Sequence, residues 1–471
     1  MNRLIKMAWR NIWRNKRRTL ITAASIFFAV FFSIVMRSFQ LGTYGHMIKQ
    51  SIEKFSGYLQ VQAPDYFDDP NLDNAFESNP ELMQTIQTFE GIKAAAPRVE
   101  SFALASAGHL SKAVMISGID PLSEQHISNP EHLLINYSLT PAIVAELIDT
   151  LNLPEKQIEH LNLHQNSVYN NLDALAFDLG LKSAEFEKLR PVFEKHTRIS
   201  GRFLEANDHG VLISNKLSKY LNVTTGDTLV LIGQGYHGTS AAALFPVRGI
   251  VRIPAPDLDN KLVYMTIERA QQFFNLGTNI TSIVMNLDDT DQMHEVQSRL
   301  AGALDKDKFL VKNWEEMNPT LKQQIEGDNK SGQIMVGVLY FIIFFGIFGT
   351  VLMMINERKR EFGVLVAIGM RKSLLVYTLV IEMFFLGLIG TLAGMLGAIP
   401  VVLGFYQYPI KLVGEIGKMY EDMGFDPIMP TAPLGHYFTW QAVIILFMVL
   451  VACYLPLNKI RKMKVADGLK A

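Results

Sequence analysis

Apolar residues gather in four long runs along the chain. The first is TLITAASIFFAVFFSIVM at positions 19–36 and the second QIMVGVLYFIIFFGIFGTVLMMI at 333–355; the third lies within 373–406 and the fourth within 436–457. Each is long enough to cross a hydrocarbon core about 30 Å thick, which takes roughly 20 helical residues. Between the first two runs the period changes. GYLQVQ, RVESFALASAGHLSKAVMISGI, HGVLIS, DTLVLIG, FPVRGIVRI, KLVYMTI and SIVMNL place apolar residues alternately or in short blocks, which predicts strands, the second segment forming a hairpin. Helical spacing returns in IERAQQFF and DQMHEVQSRLAGAL, and across about residues 128–196, as in TPAIVAELIDTLNL and EFEKLRPVFEKH. The expected fold is a membrane protein of four transmembrane helices, with a large extracytoplasmic α+β domain carrying a helical insertion between the first and second spans.

The chain ends add one element. In RLIKMAWRNIWRN the apolar residues Leu4, Ile5, Ala8, Trp9, Ile12 and Trp13 recur at helical spacing, while Arg3, Lys6, Arg10 and Arg14 fall elsewhere on the wheel. Such a helix is expected to lie flat in the inner membrane interface, tryptophans at headgroup level and cations toward lipid phosphates. No small-x-small cleavage site follows the first run and its basic leader is long, so that run reads as an uncleaved anchor rather than a signal peptide.

Composition agrees with a protein that is part membrane and part water: 471 residues, 49% hydrophobic and 19% charged, with a mean hydropathy of +0.16. The net charge of −1 gives no reason to expect a nucleic-acid partner. Charge placement is more informative. Arg3, Lys6, Arg10, Arg14, Lys16, Arg17 and Arg18 precede the first span, Arg358, Lys359, Arg360, Arg371 and Lys372 separate the second from the third, and Lys459, Arg461, Lys462, Lys464 and Lys470 follow the fourth. The loop between the third and fourth spans is acidic, with Glu415, Glu421, Asp422 and Asp426 against Lys411 and Lys418. The positive-inside rule then sets both termini in the cytoplasm.

The resulting domain plan is an interfacial helix at 1–18, spans at 19–41, 331–355, 373–406 and 436–457, an outer domain at 42–330, a cytoplasmic segment at 356–372, an outer loop at 407–435 and a tail at 458–471. The one cysteine, Cys453, falls in the fourth span, so the outer domain must hold together by packing without disulfides.

The segment NERKREFGVLVAIGMRK, 356–372, poses the main question, because it sets a dense charge cluster and a short apolar helix between two spans. FGVLVAIGM is too short to cross a bilayer, so Phe362, Leu365, Val366 and Ile368 must bury against either the bilayer interface or a groove on another protein. Glu382 sits inside the third run, where an acid is costly and is expected to be functional or paired, or to snorkel toward the boundary. Gly387, Gly390, Gly394 and Gly397 give that run small faces for close helix packing. His160 and His164 have i, i+4 spacing but lack the HExxH glutamate and read as a solvated face, with no metal site expected. GQGYHGTS follows one predicted strand and precedes another, so it reads as a hairpin loop. There is no G-x-S-x-G elbow for a nucleophile.

NERKREFGVLVAIGMRKSLL resembles the signature of FtsX-like permeases of ABC transporters. The leader AWRNIWRNKRRTLIT, the tail PLNKIRKMKVADGLK and the order of span, large outer domain and three spans resemble the same family. LSKYLNVTTGDTLVL, DLDNKLVYMTIERAQQFFNLG and VKNWEEMNPTLKQQIE look like the lipoprotein-releasing (LolC/LolE-type) branch, with a MacB-like periplasmic core. The resemblance implies a non-catalytic subunit of an ATP-driven transporter in a bacterial inner membrane. Segment 356–372 would be a coupling helix, with Glu357, Arg358, Arg360, Glu361, Phe362, Gly363, Leu365, Ala367 and Gly369 meeting an ABC ATPase, and both glycines permitting close approach. ATP and Mg would sit on that ATPase, two copies of it, since this chain has no G-x-x-x-x-G-K-[ST] phosphate cradle and binds no cofactor itself. Glu382 matches a glutamate often carried in the family's third span. A second permease, identical or related, a lipoprotein substrate, a periplasmic carrier and membrane lipid would be the other partners. For an acylated substrate, Phe28, Phe32, Val35, Phe39, Phe341 and Phe345 are candidates to line an acyl-chain cavity, helix packing or lipid contact being the alternative. Within the same architecture, a MacB-like exporter of peptides or drugs and an FtsX-like regulator of wall hydrolases remain open, as does a membrane scaffold without an ATPase.

Overall fold

A computed structural model describes residues 2–14, 16–151, 153–181, 183–199, 201–253, 255–412, 414–422 and 427–462. Asp426 of the acidic loop and Lys464 and Lys470 of the basic tail lie outside these described residues. The chain divides into two compact units, one made of 1–47, 320–417 and 427–471, the other of 48–319 and 418–426.

The first unit is helical: α1 (Asn2–Arg14), α2 (Lys16–Ile48), α3 (Pro319–Glu357), α4 (Lys359–Ala367), α5 (Lys372–Gln407) and α6 (His436–Lys462). Four stretches are long and apolar enough to span a membrane: Thr19–Ile48, Pro319–Glu357, Lys372–Gln407 and His436–Tyr454. Two helices run further than the hydrophobic runs predict. Helix α2 continues to Ile48 and passes into a π-helical stretch, Lys49–Ser56, which stops at Gly57 in the left-handed region, φ 66°. Helix α3 is 39 residues long, about 58 Å at 1.5 Å per residue, where a bilayer needs about 30 Å.

Ile26, Val30 and Ile34 of α2, Ile347, Val351 and Met354 of α3, Leu379, Met383 and Leu386 of α5, and Ile445 and Val449 of α6 form one buried core. The glycines of the third run act as expected. A Cβ on Gly390 would stand 2.7 Å from Ile26 Cβ and 2.9 Å from the Ala23 carbonyl oxygen, and one on Gly394 would stand 2.8 Å from both the Phe27 oxygen and Val30 Cβ. Gly387 faces Leu446 and Val449 of α6 instead. Backbone approach this close is what holds helices together where lipid removes the hydrophobic driving force. Away from α4, polar ties finish the unit. Arg37 Nη1 donates to Asn329 Oδ1 at 3.1 Å, Tyr437 OH to Ser38 Oγ at 3.0 Å, and Thr431 Oγ1 to the Val402 oxygen at 2.7 Å.

The second unit is built on strands β1 (Leu59–Gln62), β2 (Ile92–Ala107), β3 (Leu110–Ile119), β4 (Val211–Ser214), β5 (Thr228–Gln234), β6 (Ser240–Val251), β7 (Leu262–Thr266), β8 (Ser282–Leu287) and β9 (Leu310–Asn313). Their order is β9-β1-β8-β2-β3-β7-β4-β6-β5, and β5 pairs back onto β2 over Ala103–Ser106. Six strands, β2-β3-β7-β4-β6-β5, therefore close into a ring, and β8, β1 and β9 extend from its long strand. Closure removes free edges from most of the sheet. Pairings are antiparallel except β3 with β7 and β4 with β6.

The helical insertion has its own core of Leu139, Val144, Leu147, Leu161, Leu175, Phe186 and Phe193. Its first long helix, Pro141–Thr150, starts where Thr140 Oγ1 accepts from the Ile143 amide, with proline at the first helical position. His164 Nδ1 stands 3.8 Å from Asp178 Oδ2 within it. GQGYHGTS forms the β5–β6 hairpin loop.

Two charged groups hold this unit internally. Arg98 on β2 is fully buried, its guanidinium donating to both Glu124 carboxylate oxygens at 2.5 and 3.2 Å, while Ser128 Oγ donates to Glu124 at 2.5 Å. Asp208 accepts from the Gly210 amide and Arg248 Nε, each at 2.9 Å, with Arg202 also at 2.9 Å. Burial raises the Asp208 carboxyl, but these partners outweigh it and hold the group below the usual carboxylate range.

Overpacking predicts that Gly390→Val and Gly394→Val each lower stability by about 1–3 kcal/mol, read as a lower midpoint of thermal unfolding in detergent. Asp208→Asn should destabilise the outer unit at neutral pH. Because the folded pKa is depressed, that stabilisation is complete above the unfolded value of about 3.9 and fades as pH falls through the folded one. The gap between wild-type and variant unfolding should therefore stay constant from pH 7 to 5 and narrow below about pH 4; a gap that widens on acidification would contradict the assignment.

Candidate functional site

The site is the junction between α3 and α5. Helix α3 ends at Glu357, and Arg358 leaves helical geometry at φ −97°, ψ 5° before α4 begins at Lys359. Helix α4 is nine residues long, Lys359–Ala367. Its end is fixed by paired backbone bonds: the Met370 amide donates to the Leu365 oxygen at 3.0 Å and the Gly369 amide to the Val366 oxygen at 3.1 Å. That closure needs a left-handed residue, and Gly369 supplies it at φ 102°.

Four charged side chains then run in a chain. Arg358 Nη1 donates to Glu382 Oε2 at 2.8 Å and to Oε1 at 3.0 Å. Arg358 Nε donates to Glu361 Oε2 at 3.2 Å, and Arg14 Nη2 donates to the same oxygen at 2.5 Å. The pairs differ greatly in weight. Side chains of Arg358 and Glu382 are 7% and 0% exposed, whereas those of Arg14 and Glu361 are 58% and 48% exposed. An exposed pair contributes about 0–1 kcal/mol, while removing one partner of a buried pair costs about 3–5 kcal/mol. The Arg358–Glu382 contact therefore fixes the site, and Arg14–Glu361 is an adjustable addition. The Arg358 guanidinium also lies 5.2 Å from the Phe362 ring centroid. Some burial raises the Glu361 carboxyl, but the hydrogen bonds from Arg14 and Arg358 more than offset it and keep the group ionised at neutral pH.

Helix α1 packs in part against the rest of the helical unit. Its Ala8 and Ile12 are fully buried, Ile12 within the helical core, Trp9 meets Phe385 of α5 with centroids 5.6 Å apart, and Thr19 Oγ1 donates to the Ile12 oxygen at 2.5 Å. Ala8 and Ile12 thus face the protein, while Ile5, Trp9 and Trp13 stay 38%, 44% and 52% exposed.

The residues proposed for coupling separate into two faces. Glu357, Arg360, Glu361, Ala367 and Gly369 are exposed, and with Val364 and Ile368, the latter 80% exposed, most form a stripe at helical spacing. Arg358, Phe362 and Gly363 are buried, and Leu365 is half-buried. Phe362 is only 1% exposed and belongs to the helical core, with Leu365 and Val366 packed beside it, so the apolar surface expected to need an outside partner is largely covered within the chain. Gly369 has nothing within 4 Å of a built Cβ and serves to end the helix.

The phenylalanine stripes also divide. Phe28 and Phe32 stack on α2 at 5.9 Å, and Phe341 and Phe345 meet on α3 at 4.8 Å; all four are more than half exposed. Val35 packs into the helical core, and Phe39 lies 5.4 Å from Phe405. The partner of Glu382 and the link to Arg14 escaped the sequence reading. The usable signal was a lone acid in an apolar run, which requires a cation, beside a span whose next residue is an arginine.

The chain thus carries four helices long and apolar enough to span a membrane, with an α+β unit between the first and second and a short helix braced between the second and third. Residues 334–465 match the family described as FtsX-like permease C-terminal. The chain resembles the lipoprotein-releasing system transmembrane protein LolC of Xylella fastidiosa (strain Temecula1), 20% identical over 275 residues, 57% of this chain and 66% of that one. It also resembles the macrolide export ATP-binding/permease protein MacB of Mannheimia succiniciproducens, 28% identical over 128 residues, 26% of this chain and 19% of that one. The chain thus spans just under two thirds of the LolC relative. The periplasmic region of MacB from Actinobacillus actinomycetemcomitans superposes with a TM-score of 0.30 and 14% identity over 59% of this chain and 95% of that one. The likeness to FtsX-like permeases is carried by residues 334–465, and the similarity of the chain runs to LolC-type proteins.

Breaking the brace should show its buried character. Arg358→Met or Glu382→Leu alone should cost about 3–5 kcal/mol in unfolding free energy, whereas the double substitution should recover most of the loss. A double variant as unstable as the sum of the singles would mean the two side chains act independently.

Proposed function

We propose that the chain is the membrane subunit of an ABC transporter, coupling ATP hydrolysis on a separate ATPase to movement of its outer unit, with lipoproteins of the inner membrane as cargo. The observation that carries the reading is α4. It is a short helix between two spans, braced from behind by Arg358–Glu382, with an outward stripe of Glu357, Arg360, Val364 and Ile368. A helix fixed on one face and open on the other suits a docking surface through which force enters. The lipoprotein assignment rests on the similarity to LolC.

In this reading the chain does no covalent chemistry. Two ATPase copies, carrying ATP and Mg, would close and push on α4, and the buried ion pair would pass that displacement to α5 while α3 carried it along its length. Both termini and α4 would face the cytoplasm, and a second permease, identical or related, would complete the transporter. The shorter similarity to MacB favours a second reading, export of a periplasmic peptide or drug.

Pull-down of tagged full-length protein, with mass spectrometry of proteins and intact lipopeptides, separates these readings. Wild type should bring down an ATPase and acylated lipoprotein. Ile368→Glu, placed on the open stripe, should lose at least tenfold of the ATPase while retaining lipoprotein. An ATPase without lipoprotein would favour the exporter, and the absence of any ATPase would remove the coupling role.

A further inference from the structure

One face of the sheet in the second unit carries a pocket that the coupling role leaves unused. Register pairs Gln62 of β1 with Ser282 of β8, and Ser282 with Arg98 of β2. Side chains two apart on a strand share a face, so Gln60, Gln62, Arg98, Glu100 and Phe102 stand on one side of the sheet. A cavity of about 210 Å³ opens there, walled by Phe55, Tyr66, Phe67 and Phe102, with Gln62 and Glu100 among its lining. Two acceptors in it are short of donors. Gln60 Nε2 donates to the Ser56 carbonyl oxygen at 2.8 Å, and Gln62 Nε2 donates to Gln60 Oε1 at 2.8 Å. A carbonyl can only accept, so the relay fixes both amides and leaves Gln62 Oε1 last. Gln62 is 5% exposed, and that oxygen has no donor among the described residues. Glu100 has only a share of Arg98, 3.4 Å away, because Glu124 takes the closer bonds of the same guanidinium at 2.5 and 3.2 Å. Two carboxylates on one cation leave a negative charge in excess. Burial pushes the Glu100 carboxyl above its usual range, Arg98 opposing the rise and Glu124 adding to it.

Unmet acceptors among aromatic rings select a cation, since ring faces attract positive charge as carboxylates do. One cation of the chain is already held nearby: Lys312 Nζ of β9 stands 4.8 Å from the Phe67 centroid. Against it, the loop that carries Tyr66 and Phe67 also carries Asp65, Asp68 and Asp69, all exposed. Size narrows the choice further. Sites that enclose a whole small molecule run to about 300–1,000 Å³, so this cavity suits a single side chain. Beside it the sheet stays apolar and open: Phe102 is 55% exposed, and Leu104 and Ile232, 43% and 47% exposed, are cross-strand partners. We propose that this pocket takes the ammonium group of a lysine side chain presented by a partner polypeptide. Gln62 Oε1 and Glu100 accept from the ammonium, the rings surround the methylene stem, and apolar residues flanking the lysine rest on Phe102, Leu104 and Ile232. The proposal does not rest on the coupling role of α4 or on the nature of the cargo.

The test uses the purified full chain in phosphatidylcholine nanodiscs without an ATPase, so it can fail while the transporter reading stands. The probe is a dye-labelled pentapeptide with lysine at its centre and leucine on either side, followed by fluorescence anisotropy. Wild type should bind it at least tenfold more tightly than the same peptide with norleucine or acetyl-lysine at the centre, a factor within reach of one hydrogen bond to a charged group. Glu100→Gln should reduce that preference to about twofold or less while leaving the norleucine peptide unchanged. Phe102→Ala, at an exposed position, should weaken both peptides alike. Variants are compared only where their unfolding midpoints match wild type; should Glu100→Gln fail that condition, Phe67→Leu takes its place and should lower the lysine preference at least threefold. Equal binding of the lysine and norleucine peptides by wild type would overturn the proposal, as would a lysine preference that survives Glu100→Gln or Phe67→Leu. Adding phosphatidylethanolamine to the nanodiscs tests the other source of an ammonium. Retention of that lipid over phosphatidylcholine in native mass spectrometry, lost in Glu100→Gln and without peptide binding, would assign the pocket to a headgroup and overturn the peptide reading.

Discussion

A carboxylate inside an apolar helix bundle must find a cation, and that requirement organises the membrane unit of this protein. Glu382 is wholly buried on α5, and Arg358, the residue between α3 and α4, is the group that neutralises it. The interaction is costly to form because both charges leave water, and more costly to break because either charge alone would remain buried. Arg358 is buried at the break where α3 ends and α4 starts, with Phe362 in the core beside it. A hydrophobic pair could have provided similar stability. The charged contact adds direction, since Arg358 Nη1 donates to both Glu382 oxygens and must sit between them.

Much of the architecture was legible in the sequence because its main determinant is one-dimensional. Runs of apolar residues and the placement of lysine and arginine report spans directly, and alternation around RVESFALASAGHLSKAVMISGI reports the hairpin of β2 and β3. Glycine spacing in the third run marks a small face for close packing, though not that α2 is the helix most of it meets. What stayed hidden depends on distance in space. The closure of six strands into a ring rests on β5 returning to β2, a register no local pattern encodes. Helix length is hidden where apolar content and helicity part company: α2 and α3 continue as helices through polar sequence beyond their apolar runs.

The site was half legible for the same reason. Composition marked 356–372 as charged and then apolar, but not which residues face inward. Phe362 and Ile368 look alike in sequence, yet one is in the core and the other almost wholly exposed. Arg358 and Arg360 differ in the same way, by two positions on a helix whose back is turned to the bundle. The two units also place buried charge alike: Arg98 with Glu124 ties a strand to the base of the insertion, as Arg358 with Glu382 ties a loop to a span. In each, an arginine reaches a glutamate on a neighbouring element.

The unbroken length of α3 has a mechanical consequence. Beyond Pro319 at its start it contains no proline, and the helix continues through the apolar stretch without interruption. A continuous α-helix is stiff along its axis because every backbone hydrogen bond lies nearly parallel to it. Such a rod cannot absorb a displacement locally. A tilt of 5° about one end would sweep the other through about 5 Å, given a rise of 1.5 Å per residue. Movements too small to unpack the core near Glu357 are thereby magnified at Pro319, so the helix trades force for travel, as an oar does.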